Sequence, residues 1–181
     1  MTRYVALLRA VNLGSHKKIS MPDLRTLLTA LGYADVATYL QSGNAVFTAD
    51  EPRAEAVAAR IEEGLTADLG LTTEVILRTA ERLRRVVEDN PLPVGDPTKL
   101  SVWFLQAAPP PGWLDGLDLA AFAPEEMRAG EPDLYLGLPN GTGRAKLPVA
   151  LGRRLKVPAT MRNWRTVTNL LSLAEDGPPA G

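Results

Sequence analysis

The sequence of 181 residues contains no cysteine and only one histidine, His16. Without cysteine the chain cannot form a disulfide and offers no thiolate for zinc binding or nucleophilic catalysis. One histidine is too few for a histidine-based zinc site, so we predict no metal site. Because His16 stands beside Lys17 and Lys18, we interpret it as a solvated loop residue rather than the base of a serine–histidine pair.

Long apolar runs are also missing. No stretch approaches the roughly 20 apolar residues that span a bilayer, and the N-terminal residues MTRYVALLRAVN do not resemble a signal peptide. A content of 45% hydrophobic and 23% charged residues is that of a folded globular protein. With a formal net charge of −1, a polycation that coats nucleic acid is disfavoured. We therefore expect a cytoplasmic protein without a membrane partner.

The basic residues are concentrated in two acid-free segments, although the total charge is nearly balanced. Residues 1–22 contain four Lys or Arg, residues 139–168 contain seven, and neither segment contains Asp or Glu. The second segment also holds a glycine-rich turn, Asn140–Arg144. Backbone amides of such turns and basic side chains are the usual parts of an anion-binding site. The alternative is that this distribution of charge is compositional chance.

Two known nucleotide-binding motifs are absent from this turn. The letters GTGRAK lack the four-residue gap and the Gly-Lys-Ser/Thr ending of a phosphate-binding P-loop. They also lack the strand–turn–helix context and three spaced glycines of a dinucleotide site. We therefore predict no cofactor.

Apolar periodicity and turn residues predict an α+β fold of two ferredoxin-like (βαββαβ-type) halves, the second degenerate and followed by C-terminal helices. The segments of the first half are predicted at residues 2–10, 22–31, 36–41, 45–48, 52–69 and 73–77. Those of the second half are predicted at 80–88, 99–106, 113–117, 127–129, 134–138, 147–156 and 161–174. The expected domains are residues 1–79 and 80–174, with a disordered tail at 175–181.

The ferredoxin-like topology places two predicted loops at one edge of the first sheet. Its first two strands run parallel, so the loop at residues 12–18 and the hairpin at 41–44 should be neighbours. The resulting polar rim would contain Arg9, Asn12, Lys17, Gln41, Ser42 and Asn44. Arg9 has the parity of the apolar strand residues, and a charge on that face needs a partner or a ligand. The alternative is that Ser42-Gly43-Asn44 is turn chemistry alone and that the lysines are solvated.

The last predicted helix suggests a second cluster of binding residues. With Thr160 as its N-cap, Arg162 and Asn163 would fall in the first turn. A cation there is unfavourable by about 0.3–1 kcal/mol unless an anion is also present. That anion is either a bound carboxylate or phosphate, or an Asp or Glu of the chain itself. Asn140, Arg144 and Lys146 join this cluster from the glycine-rich turn.

Four blocks of sequence, YVALLRAVNLG, YLQSGNAVF, LPNGTGRAKL and ATMRNWRTVTNL, resemble the family called domain of unknown function 1697. The pattern of that family is matched at Arg9, Asn12, Gly14, Ser42, Gly43, Asn44, Asn140, Gly141, Gly143, Arg144, Lys146, Arg162, Asn163, Trp164 and Thr166. The resemblance implies two ferredoxin-like halves in a mainly bacterial, cytoplasmic protein, and it implies no particular activity.

Four residues depart from the pattern of the family: Ala10 replaces Gly, Ala145 replaces Ser, Met161 replaces a small residue and Asn169 replaces Lys. The change at Ala145 removes a hydroxyl that could have served as a nucleophile or Mg²⁺ ligand beside Lys146.

These observations favour a module that binds a small phosphate- or carboxylate-bearing ligand. The predicted ligand-binding residues are Arg9, Asn12, Lys17, Ser42, Asn44, Asn140, Arg144, Lys146, Arg162 and Asn163. One alternative is a nucleic-acid-binding protein that stacks bases on Tyr39 and Phe47, although it would lack an RNA-recognition motif. Another is an enzyme acting on a phosphorylated substrate. In a third, the arginines are structural and pair with acids of the chain. The sequence carries no indication of oligomeric state.

Overall fold

The computed structural model describes residues 1–15 and 17–177. His16, interpreted above as a loop residue, and residues 178–181 of the expected tail lie outside the described residues. The chain divides into two compact units. The first unit is Met1–Arg85 together with the chain from Thr168 onward, and the second is Val86–Val167. The division at residues 79 and 80 stays a prediction.

The described residues form two antiparallel sheets of four strands each and five α-helices. In chain order the elements are β1 (Thr2–Leu8), α1 (Met21–Ala30), β2 (Ala34–Thr38), β3 (Asn44–Ala49), α2 (Ala54–Leu69), β4 (Val75–Thr79), α3 (Ala80–Glu88), β5 (Leu100–Leu105), β6 (Glu126–Ala129), β7 (Leu134–Gly137), α4 (Leu147–Leu155), β8 (Ala159–Asn163) and α5 (Trp164–Asp176). The predicted α+β fold class is therefore confirmed. Helix α5 includes Glu175 and Asp176, which the sequence had assigned to the disordered tail.

The first sheet has the strand order β2-β3-β1-β4, which is the ferredoxin-like order. Both β1 and β2 pair antiparallel with β3, so they run parallel to each other as predicted. One face of this sheet packs against α1 and α2, whose apolar residues recur at helical spacing. The core contributed by the two helices contains Met21, Leu24, Leu27, Leu28, Val57, Ile61 and Leu65. The sheet adds Tyr4, Ala6, Leu8, Ala45, Phe47, Val75 and Leu77.

Local signals explain where the first two helices begin and end. Helix α1 begins after Ser20, whose Oγ accepts a hydrogen bond of 3.1 Å from the backbone N–H of Asp23. Helix α2 ends at Gly70, which adopts the left-handed conformation with φ of 62°.

The C-terminal part of α5 belongs to the first unit and contacts its sheet. The guanidinium of Arg3 in β1 donates to the carbonyl oxygen of Leu173 at 3.2 Å. The amide of Asn169 donates to the hydroxyl of Tyr39, just after β2, at 2.7 Å. These contacts hold the last turns of α5 against strands from the start of the chain.

The second sheet repeats the strand order of the first, as β6-β7-β5-β8. Helix α4 covers one face through Leu147, Leu151 and Leu155. The helix expected at residues 113–117 is replaced by turns and a short 3-10 helix, Leu119–Phe122. The second half is therefore a ferredoxin-like unit with a degenerate first helix.

The segment before α5 corrects a prediction. Residues 159–163 form β8, in which Thr160 and Arg162 lie opposite Phe104 and Val102 of β5. The predicted helix at 161–174 therefore starts later, and the prediction of Thr160 as its N-cap is wrong. Asn163 caps α5 instead, because its Oδ1 accepts from the backbone N–H of Thr166 at 2.9 Å.

Within the described residues, no helix combines the length and the apolar character needed to cross a membrane.

The hairpin between β2 and β3 packs closely against the end of β1. The backbone N–H of Leu8 donates to the carbonyl oxygen of Gly43 at 2.8 Å. A methyl group on Gly43 would lie 2.5 Å from Val11 Cγ2 and 2.8 Å from Leu8 Cβ, and Gly43 has a φ of 76°. Gly32 has a similar φ of 86°, but nothing lies within 4 Å of its Cβ position.

We therefore expect Gly43→Ala to cost about 1–3 kcal/mol more of unfolding free energy than Gly32→Ala, because only Gly43→Ala adds overpacking to backbone strain. Both variants carry the strain of a left-handed alanine, about 1–2 kcal/mol. Urea unfolding of the two variants and the wild type measures the difference. An equal loss in the two variants would contradict the tight packing of the hairpin.

Candidate functional site

The loop after β1 and the hairpin after β2 meet at the edge of the first sheet, as the topology predicts. Asn12 joins them: its amide nitrogen donates to the carbonyl oxygens of both Ile19 and Gln41. Its Oδ1 accepts from the backbone N–H of Ile19 at 2.9 Å. Both amide hydrogens of Asn12 are thus engaged within the protein. Its observed contacts are those of a residue that fixes the two loops.

Asn44 and Ser42 make a similar internal contact. Asn44 is fully buried, and its amide donates to the carbonyl oxygen of Tyr39 at 2.9 Å and to Ser42 Oγ at 2.8 Å. These bonds shape the turn, as expected for residues with turn chemistry.

Arg9 lies just beyond the end of β1 and is exposed, whereas its parity had predicted that it points toward the apolar face. Its guanidinium donates to both carboxylate oxygens of Glu74, at 3.1 and 3.2 Å. Partial burial is the largest single influence and raises the pKa of Glu74, whereas hydrogen bonds from its own backbone N–H and from Arg9 lower it. Together with the positive charges of Arg9 and Lys17, they hold the pKa of Glu74 below its ordinary 4.5.

Lys17 and Glu74 also line an open groove of about 740 Å³ beside α2. Glu62 and Glu63 contribute two more carboxylates to this groove. Three carboxylates and one ammonium make the groove unfavourable for an anion.

In the second unit, Arg162 lies on β8 and is buried, with 8% of its surface exposed. Its Nη1 donates to Thr160 Oγ1 at 2.7 Å and to the carbonyl oxygen of Met161 at 2.9 Å. Burial lowers the pKa of Arg162 to about 10. Because Arg162 is on a strand, the argument that a cation in the first turn of a helix requires an anion does not apply to it.

The glycine-rich turn after β7 presents exposed polar and basic side chains. Gly141 adopts a φ of 80°, and residues Thr142–Arg144 form a short 3-10 helix. Asn140, Arg144 and Lys146 are exposed. Among the described residues, the side chains of Arg144 and Lys146 have no hydrogen-bond or ion-pair partner.

The backbone amides that follow this turn already hold an anion, the carboxylate of Glu125. Both oxygens of Glu125 accept from the backbone N–H of Lys146 at 3.0 Å, and Oε2 also accepts from that of Leu147 at 2.7 Å. A carboxylate at the N-terminus of α4 is stabilising because it lies at the positive end of the helix dipole. The anion at these amides is therefore part of the chain.

Lys99 is a basic residue near this turn that sequence reasoning missed. Its Nζ lies 3.8 Å from the position that a Cβ on Gly141 would occupy. The carbonyl oxygen of Lys99 accepts from the backbone N–H of Leu138 at 2.7 Å, which ties the start of β5 to the end of β7. Its ammonium has no hydrogen-bond or ion-pair partner in the described part of the chain. Only the strand pairing brings Lys99 to the turn, so no local signal could have found it.

Two other kinds of site find no support in the structure. Phe47 is fully buried, with its ring stacked on Tyr33 at a centroid distance of 4.7 Å, so it offers no surface to a nucleobase. Across the residues that the structure describes, no group of three or more His, Cys, Asp or Glu side chains is placed to hold a metal ion.

We expect Arg162→Ala to lower the unfolding free energy by about 2–4 kcal/mol, because it leaves a cavity and removes internal hydrogen bonds of a buried side chain. Arg144→Ala is the control and should stay within about 0.5 kcal/mol of the wild type, since Arg144 is exposed. Urea unfolding at neutral pH measures both. Comparable stability of the two variants would show that Arg162 contributes little to folding.

The ion pair between Arg9 and Glu74 should make stability depend on pH in the acid range. A carboxylate with a lowered pKa stabilises the fold above its unfolded pKa and loses this contribution as the pH falls through its folded pKa. The difference in melting temperature between the wild type and Glu74→Gln should therefore be largest at neutral pH and shrink below about pH 4.5. Glu63→Gln, at the exposed Glu63 of the same groove, is the control. A difference that does not change with pH would contradict the role of the ion pair.

Comparisons with known proteins agree with the fold. The family model described as "Protein of unknown function (DUF1697)" matches residues 1–135. Among solved structures, the conserved bacterial protein SP0830 from Streptococcus pneumoniae is similar, with a TM-score of 0.68 and 24% sequence identity over 96% of this chain and 99% of that one. At this identity the likeness shows the fold alone. No curated protein matches the chain. Since the family model covers well over half of the sequence, the chain belongs to the DUF1697 family.

Proposed function

We propose that the protein binds a small phosphate- or carboxylate-bearing ligand on the second unit, at the turn of residues 139–146 and Lys99. The observation that carries this proposal is that the side chains of Lys99, Arg144 and Lys146 have no hydrogen-bond or ion-pair partner among the described residues. Arg9, in contrast, is paired with Glu74, and the buried Arg162 donates to groups of its own strand.

The chemistry of the turn fits recognition by side chains. Guanidinium and ammonium groups form charge-assisted hydrogen bonds to phosphate and carboxylate oxygens, which are stronger than neutral hydrogen bonds. Asn140 adds an exposed amide donor beside Gly141. Because Glu125 already occupies the backbone amides at the start of α4, the ligand relies on these side chains instead.

Exposure limits the affinity of such a site. Each exposed cation contributes about 0.2–1 kcal/mol to an ion pair in water, and salt screens the interaction over a Debye length of about 8 Å at physiological ionic strength. We therefore expect weak binding that decreases as salt is raised.

The proposal predicts that Arg144→Ala/Lys146→Ala weakens binding of inorganic phosphate roughly 2- to 30-fold, the loss expected for two exposed charge pairs. NMR titration of the backbone amides with phosphate at low ionic strength measures the affinity. Arg153→Ala/Lys156→Ala is the matched control, because it removes two exposed cations of the same unit outside the turn. The control should bind phosphate like the wild type.

Two results would overturn the proposal. One is an equal loss of affinity in the two double variants, which would mean that phosphate responds only to the net charge of the unit. The other is the absence of any saturable shift in the wild-type protein.

A further inference from the structure

A cavity of about 410 Å³ in the second unit adjoins the turn that carries the proposed anion site. Its volume lies within the range of about 300–1,000 Å³ that small-molecule sites occupy. Most of its walls are apolar, and these are formed by Leu92, Pro93, Leu100, Pro124, Leu138 and Pro139. Such a lining favours an apolar ligand group, because burial of apolar surface is the main gain available there.

Three charged residues also line the cavity, the acidic Asp96 and Glu126 and the basic Lys99. Asp96 Oδ1 accepts from the hydroxyl and the backbone N–H of Thr98, at 2.6 and 2.9 Å, and these bonds, with the positive charges of Lys99 and Arg165, lower the pKa of Asp96. Glu126 is paired with Arg128 at 3.2 Å. The ammonium of Lys99 has no acceptor in the described residues. Lys99 is therefore the charged residue of the wall whose side chain has no hydrogen bond or ion pair within the described residues, while Asp96 and Glu126 retain their negative charges.

The cavity and the anion site share Lys99, which places the two ligand groups next to each other. Lys99 lines the cavity, and its Nζ also lies beside Gly141 of the turn. Leu138 and Pro139 form part of the wall and lead directly into that turn. A ligand with its charged group at Lys99 would therefore have its remaining atoms at the apolar walls.

We propose that the ligand is an amphipathic anion: a carboxylate or phosphate group at Lys99 and the turn, with a short apolar body in the cavity. This inference rests on the proposed anion site and specifies the class of its ligand. Purely polar anions such as inorganic phosphate would use only the charged part of the site.

The inference makes affinity depend on the length of the apolar body. A fully buried methylene improves affinity about fourfold, so each methylene in a partly open cavity should add about two- to fourfold. Acetate, butanoate and hexanoate test this, since they share one carboxylate and differ only in chain length. Hexan-1-ol has the same six-carbon chain as hexanoate but no charge, so it should bind more weakly than hexanoate.

Gly95 is a position in the cavity wall where a side chain can be added without strain. It lines the cavity, nothing lies within 4 Å of its Cβ position, and it has no positive φ. In Gly95→Leu, acetate should bind as in the wild type, while the gain from acetate to hexanoate should disappear. Gly95→Ala is the matched control and should keep most of that gain. Lys99→Gln should weaken all three carboxylates.

NMR titration of the wild type and the three variants with the carboxylate series decides between the outcomes. The inference is supported if affinity rises with chain length in the wild type and in Gly95→Ala but not in Gly95→Leu. Affinity that is independent of chain length, with acetate or phosphate still bound through Arg144 and Lys146, would overturn it and leave the anion site standing. If none of the anions binds to the wild type, both proposals fail.

Discussion

The position of β3 between β1 and β2 is the constraint on which the first unit depends. Because both strands pair antiparallel with β3, they run parallel and end at the same edge of the sheet. The loops that follow them must then pack against each other, and Asn12 and Gly43 meet that requirement in different ways. Asn12 supplies hydrogen bonds to backbone groups of both loops. Gly43 has no side chain, so Val11 and Leu8 can pack closely against it. The polar residues at this edge therefore have a structural explanation before any ligand is considered.

Burial and pairing separate the basic residues into two classes with different capacities. A charge that leaves water must be compensated inside the protein. A buried or paired arginine therefore stabilises the fold through its internal contacts and would lose them on binding a ligand. Arg162 and Arg9 are of this kind, the first through its burial and the second through Glu74. The side chains of Lys99, Arg144 and Lys146 are partly or fully exposed and form no hydrogen bond or ion pair within the described residues, so a ligand can engage them without breaking such a contact. Residue type and local charge do not distinguish the two classes, whereas the environment does.

The sequence predicted most of the fold because hydrophobic periodicity and turn residues are local signals. Helix α3 was predicted with its observed bounds, and the strand order followed from the order of the elements. The main error, at β8, arose where two local signals were compatible with the same residues. Thr160 and Asn163 are both good N-caps, and only the pairing of residues 159–163 with β5 selects the second. The roles of Lys99 and Glu125 could not be predicted either, because each meets the turn through contacts between residues far apart in the chain.

Glu125 has a further consequence for how the turn can recognise an anion. A glycine-rich turn followed by a helix usually offers backbone amides and a helix dipole to its ligand. Here the carboxylate of Glu125 accepts from the first amides of α4 and compensates the positive end of that dipole. A ligand at the turn therefore depends on flexible side chains, which bind with less geometric precision than fixed amides. Selectivity must then come from elsewhere in the unit, and under the proposal above it comes from the mostly apolar cavity beside Lys99.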